Sequence, residues 1–279
     1  MKEPVFLKRL VFVKWIVFGL FLVAGNAQAN LLITPTRVVF DERNRNAEVT
    51  LLNASDTTKV YQILWKEMQQ TSDGGYRETV DSTDEHKTAS SMIRHSPRKV
   101  TIEPGKYQRI KLRYRMPTDL ADGEYRSHLM MKVTDVGNDL SGLTHEGKGA
   151  KLMLIPKLSF TIPILVRKGE VNPVTDIAGV TLNTQNSEGP KLVIDVSRTG
   201  MHSSYGKIFA YMKATHASQV QKIGEVHNIA LFPETTVRTV KMPLQVKSVP
   251  PGAILQVVYE GDDEFEGQQL GTAAFTYKP

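Results

Sequence analysis

Arg109-Ile110-Lys111-Leu112-Arg113-Tyr114-Arg115-Met116 alternates without exception, a cation at every odd position and an apolar side chain at every even one. A period of two puts the four cations on one face of an extended chain and the apolar residues on the other. This is the pattern of a half-buried antiparallel strand. The same period continues outward in both directions. Upstream, Val60, Ile63 and Trp65 fall in a β-branched and aromatic run; downstream, Leu152, Leu154, Leu158, Phe160, Ile162 and Ile164 share one parity. Turn signals punctuate the runs at Asp73-Gly74-Gly75, Glu103-Pro104-Gly105, Asp122-Gly123 and Pro250-Pro251-Gly252. No long amphipathic helix and no internal repeat is visible. Many short strands at this spacing predict an all-β chain built as two tandem β-sandwiches.

The composition agrees with a globular protein. The chain has 279 residues, 41% of them hydrophobic and 23% charged, which excludes a disordered or collagen-like polymer. It contains no cysteine, so disulfides, thiolate metal sites and cysteine nucleophiles are excluded. Lys2, Lys8 and Arg9 precede an apolar run from Leu10 to Ala24 that ends at Ala27-Gln28-Ala29. A basic start, a short apolar middle and a small-x-small end predict a secretory signal cleaved after Ala29. The run is too short, and carries Lys14, for a spanning anchor, so no transmembrane anchor is expected after cleavage. Removing the leader lowers the net charge from +6 to +3. That is a weak electrostatic basis for binding nucleic acid, which is not expected as a partner.

The stretch Asp135 to Gly149 is glycine-rich and acidic with no apolar run, and is expected as a long mobile loop. A boundary falls near Arg167 to Pro173, after the longest apolar strand. The resulting division is a signal peptide over 1–29, an N-terminal sandwich over 30–168 and a C-terminal sandwich over 169–279.

Signatures of catalysis are missing. None of the seven histidines has a close metal-ligand spacing, there is no Gly-x-Ser-x-Gly elbow, and Gly147 and Gly149 extend into no nucleotide fingerprint. Asp262-Asp263-Glu264 does not match a calcium loop and reads as a solvated turn. No catalytic residue, metal or cofactor is expected, and no enzymatic activity. The basic stripe Arg109, Lys111, Arg113 and Arg115 reads as the wet face of a strand rather than a polyanion site.

Three segments resemble one family, the PapD-like periplasmic chaperones of chaperone–usher pilus assembly. They are Ile33-Thr34-Pro35-Thr36-Arg37-Val38-Val39-Phe40-Asp41, Ser96-Pro97-Arg98-Lys99-Val100-Thr101-Ile102-Glu103-Pro104-Gly105, and Asp122-Gly123-Glu124-Tyr125-Arg126-Ser127-His128-Leu129 ahead of the strand ending in Arg167. The resemblance spans about 140 residues; beyond it the chain is similar only as a second sandwich. Ile162-Pro163-Ile164-Leu165-Val166-Arg167-x-Gly169 looks like the divergent branch of that family.

The resemblance implies two immunoglobulin-like sandwiches in the periplasm. It also implies a chaperone that lends a strand to fimbrial subunits and passes them to an outer-membrane usher. The strand to be lent carries Leu152, Leu154, Leu158, Phe160 and Ile162. Two cations would hold the subunit's terminal carboxylate, which needs charge-assisted hydrogen bonds once desolvated. Arg37 matches the first. Pro163 stands where the family has a lysine, leaving Lys157 or Arg126 to substitute for the second. An ion network of Glu124, Arg167 and Glu260 would fix the angle between the sandwiches. A long apolar edge invites self-association, so a self-capping dimer is a further possible partner state. The rival readings are a self-contained structural or adhesive surface sandwich and a carbohydrate-binding sandwich. The second is disfavoured because Trp15 leaves with the signal and only Trp65 remains.

Overall fold

The computed structural model describes residues 31–79, 87–135, 158–184, 189–214 and 219–278. The signal peptide, Leu152, Leu154, Lys157 and most of the expected loop after Asp135 lie outside them. The described residues are strand throughout, apart from two 3-10 turns at Ser90–Met92 and Asp263–Phe265 and the connecting turns.

The first sandwich pairs a sheet of β1 (Leu31–Thr34), β3 (Asn46–Asn53), β9 (Tyr107–Tyr114) and β7 (Ile93–Ser96) with a second sheet. The latter runs in the order β2 (Val38–Phe40), β11 (Ser159–Lys168), β10 (Gly123–Asp135), β4 (Lys59–Lys66) and β8 (Lys99–Ile102). The opening strand serves both sheets: β1 pairs with β3, then the chain crosses at Pro35, which cannot donate to a ladder, and β2 pairs with β11. The alternation at 109–116 behaves as its period requires. Ile110, Leu112 and Tyr114 are buried beside Val49, Leu51, Leu129 and Met131, while the Arg109 side chain stays 59% exposed.

The second sandwich pairs β12 (Val174–Asn183), β13 (Lys191–Thr199) and β16 (Val237–Pro243) with β15 (Gln221–Leu231), β14 (Ser204–Lys213), β17 (Ile254–Gly261) and β18 (Gln269–Thr276). Its core holds Leu192, Ile194, Ile208, Leu255 and Tyr259. The chain passes between the sandwiches at Gly169, whose φ of +83° lies in the left-handed region. A Cβ there would come within 2.9 Å of the Asp122 side chain, so both conformation and space call for glycine.

Besides buried ion pairs, two features join the sandwiches. One is an apolar cluster of Leu165, Tyr205, Ala230, Phe232 and Phe265, with Val39 and Val171 packed against it. The other is a small hairpin of β5 (Met68–Gln70) and β6 (Tyr76–Glu78), which belongs to neither main sheet.

Candidate functional site

Alternation along β11 decides what faces the junction. Ile162, Ile164 and Val166 are buried in the N-terminal core and half-buried Phe160 packs against it; Leu165 points the other way, into the apolar cluster between the sandwiches. Phe160 and Ile162, expected as side chains to be lent, therefore fill their own sandwich. Leu158, just before β11, stands 54% exposed.

The backbone of β11 is unevenly partnered. β10 runs antiparallel along it from Ser159 to Lys168, but β2 pairs in parallel only with Ile164, Leu165 and Val166. From Ser159 to Pro163 the β2 side of the strand has no strand neighbour among the described residues. An edge of unpaired N–H and C=O groups is a template for another strand.

At the other end of β11 lies an ion network. Arg167, its side chain 2% exposed, donates from Nε to Glu124 Oε2 at 2.9 Å. Its Nη2 donates to the Ser203 carbonyl at 3.1 Å and hydroxyl at 3.0 Å. Ser203 in turn donates to Glu124 from its backbone N–H at 3.0 Å and its hydroxyl at 2.7 Å. Burial works against the Glu124 charge, but the Arg167 charge and the Ser203 hydrogen bonds outweigh it and hold its pKa below the ordinary glutamate value.

Arg37 approaches from the turn before β2. Its Nη1 and Nη2 donate to Glu264 Oε2 and Oε1 at 2.8 and 2.6 Å, a bidentate fork, and its guanidinium lies 4.5 Å from the centre of the Tyr205 ring. Glu264 also accepts from Arg167 Nη1 at 2.5 Å, so one carboxylate bridges two buried arginines. Burial raises the Glu264 pKa, but the Arg37 hydrogen bonds and charge, with the Arg167 charge, pull it down to about 2. Burial also opposes the Arg37 charge, and the hydrogen bonds and charge of Glu264 raise its pKa overall.

Glu260, expected in this network, makes no ion pair among the described residues. It follows inward-facing Tyr259 on β17 and so points to the opposite face, whereas the turn at Asp263–Phe265 brings Glu264 to the arginines. The sequence flagged Asp262-Asp263-Glu264 only as a solvated turn. The one local signal was the acidic cluster itself, and the sequence says nothing about which arginines it would meet.

Arg126 lies deeper along the same face. It donates to Glu234 at 2.5 and 3.2 Å and to the Met68 carbonyl at 2.9 Å, with Phe232 stacked 3.8 Å from its guanidinium carbon. Its carboxylate-binding edge is thus engaged by the protein itself. Around it the β5–β6 hairpin is bolted to the second sandwich. Gln70 donates to the Ala230 carbonyl at 3.1 Å and accepts from Phe232 N–H at 3.2 Å, and its own N–H donates to Glu234 at 2.8 Å. At the hairpin tip, Thr239 N–H donates to the Ser72 carbonyl at 2.7 Å. Gly74 there has φ +83°, and a Cβ would strike the Arg238 guanidinium at 2.5 Å. Sequence reading missed this hairpin contact, because nothing local marks which surface a turn will touch.

No protein-family model matches the chain, and no curated protein matches it in sequence. Solved chains similar to it include chaperones of fimbriae. The class 5 fimbriae chaperone CfaA is 15% identical at a TM-score of 0.43, over 90% of this chain and 100% of its own. The Escherichia coli chaperone DraB is 13% identical at 0.40, over 89% and 98%. A structure of the Salmonella enterica SafA pilin with the SafB chaperone matches at 12% and 0.42, over 88% and 96%.

Proposed function

We propose that the protein is a periplasmic, non-enzymatic chaperone that binds fimbrial subunits by strand lending and delivers them to an outer-membrane usher. The observation that carries this reading is the unevenly paired β11. Its free half, Ser159–Pro163, adjoins exposed Leu158 and runs towards a junction that holds Arg37. A client strand added along that edge would gain backbone hydrogen bonds, and its chain end would approach the arginine. Apolar burial at about 25 cal/mol per Å², before association costs, supplies the free energy without a nucleotide.

The test is co-expression of the tagged full chain with candidate small exported subunits of the same cell, followed by mass spectrometry of the periplasmic complex. A stoichiometric β-rich subunit that is degraded when expressed alone is the expected result. A monodisperse protein without companion would favour a self-contained surface sandwich.

A further inference from the structure

Arg37 does not offer a free guanidinium. Both of its terminal nitrogens are committed to Glu264, in the bidentate geometry that an incoming chain-terminal carboxylate would adopt. We infer that Glu264 is an internal stand-in for the client carboxylate, holding the Arg37 fork until a client displaces it. This rests on the chaperone reading above.

Three observations make displacement physically reasonable. Glu264 is shared: it keeps Arg167 at 2.5 Å when it leaves Arg37, so neither the glutamate nor Arg167 becomes an uncompensated buried charge. Arg167 is further held by buried Glu124 and by Ser203. Second, Glu264 sits on a short turn with its side chain 30% exposed, against 5% for Arg37, so the glutamate is the partner able to move. Third, room exists beside it. A cavity of about 270 Å³ is lined by Val39, Asp41, Arg167, Val171, Glu264 and Phe265, and Arg37 Nε has no hydrogen-bond partner among the described residues.

The turn therefore sets a threshold. A chain end that brings only a carboxylate exchanges one anion for another and gains little. A client that also adds a strand to β11 supplies the surplus that drives the exchange. Glu264 would in this way make carboxylate binding conditional on strand pairing, a form of selectivity by competition.

The experiment uses the full chain expressed with its own leader and two probes. These are an acetylated Val-Thr-Val-Thr-Tyr peptide with a free terminal carboxylate and the same peptide ending in a carboxamide. Affinities are measured by calorimetry for wild type, Glu264→Gln and Glu264→Gln/Arg37→Ala, each checked by circular dichroism. Glu264→Gln is expected to bind the acid peptide about ten-fold tighter than wild type, the scale of one charge-assisted contact released. Its preference for acid over amide should vanish in the double variant. Equal acid affinity for wild type and Glu264→Gln, with the acid still preferred to the amide, overturns the stand-in and leaves the anchor reading intact. No preference for acid over amide in Glu264→Gln overturns both.

Discussion

Arg167 and Glu124 meet with both side chains out of water, 2% and 1% exposed, on neighbouring strands whose register sets them opposite each other. Their pairing is therefore fixed by β10 and β11 of the first sandwich, while the serine that completes it, Ser203, comes from the second. The second sandwich docks onto a charge pair whose two members both belong to the first.

Removing one member strands the other. Glu124→Ala is expected to destabilise the protein by about 3–5 kcal/mol, the cost of an uncompensated buried charge. Glu124→Gln should cost less, because it can still accept from Arg167 and Ser203. Urea unfolding followed by tryptophan fluorescence checks the order; equal losses in the two variants would refute the charge argument.

Acid should loosen the junction. Glu264 has its folded pKa lowered to about 2 from an ordinary value of 4.5. Its contribution is complete above about pH 4.5 and is lost as pH falls towards 2. Glu124, also lowered, acts in the same direction. Melting temperature measured from pH 7 to pH 2.5 should hold steady and then fall in that window, with a shallower fall in Glu264→Gln.

Leu158→Asp tests the edge separately from the core. The side chain is 54% exposed, so the variant should melt within a few degrees of wild type while losing recovery of its client. Ile162→Asp should instead unfold the first sandwich, since that residue is 3% exposed in the core. Undiminished client recovery with Leu158→Asp would count against strand lending.

Gln70→Ala leaves the Ala230 carbonyl and the Phe232 N–H without the partner the hairpin supplies. The Ala230 carbonyl keeps Arg238 Nη1 at 2.6 Å, so a cost of about 1–3 kcal/mol follows from the Phe232 N–H alone. Small-angle scattering should report a broader distribution of distances between the sandwiches than in wild type. An unchanged scattering profile would show that the apolar cluster and the ion network hold the angle without the hairpin.

How much of this was legible beforehand follows from the range of the forces involved. Alternation at 109–116 fixes which side chains of β9 are buried, because period and face are local properties of one strand. The pairing of Glu124 with Arg167 comes from the family resemblance alone, and in the structure the β10–β11 register sets the two opposite each other. Glu264 could not be placed beside them, since it lies on a turn of the other sandwich, 97 residues from Arg167 and 227 from Arg37. The parity of Leu158, Phe160 and Ile162 was visible, but a shared parity does not say whether the common face looks inward or outward. Packing against the facing sheet buries Ile162, whereas Leu158, of the same parity, precedes β11 and stays exposed.

The hairpin at Met68–Glu78 bears on how the whole molecule moves. A body tied to another by one connection can swing in any direction; tied at two separated places, it keeps a single axle, the line through them. Here one tie is the connection at Gly169 with its ion cluster, and the other is the grip of Gln70 and Ser72 on the second sandwich. Sliding and twisting of one half across the other are resisted by both at once. The swing that remains about that line is opposed by the packing of Leu165 against Tyr205, Ala230, Phe232 and Phe265.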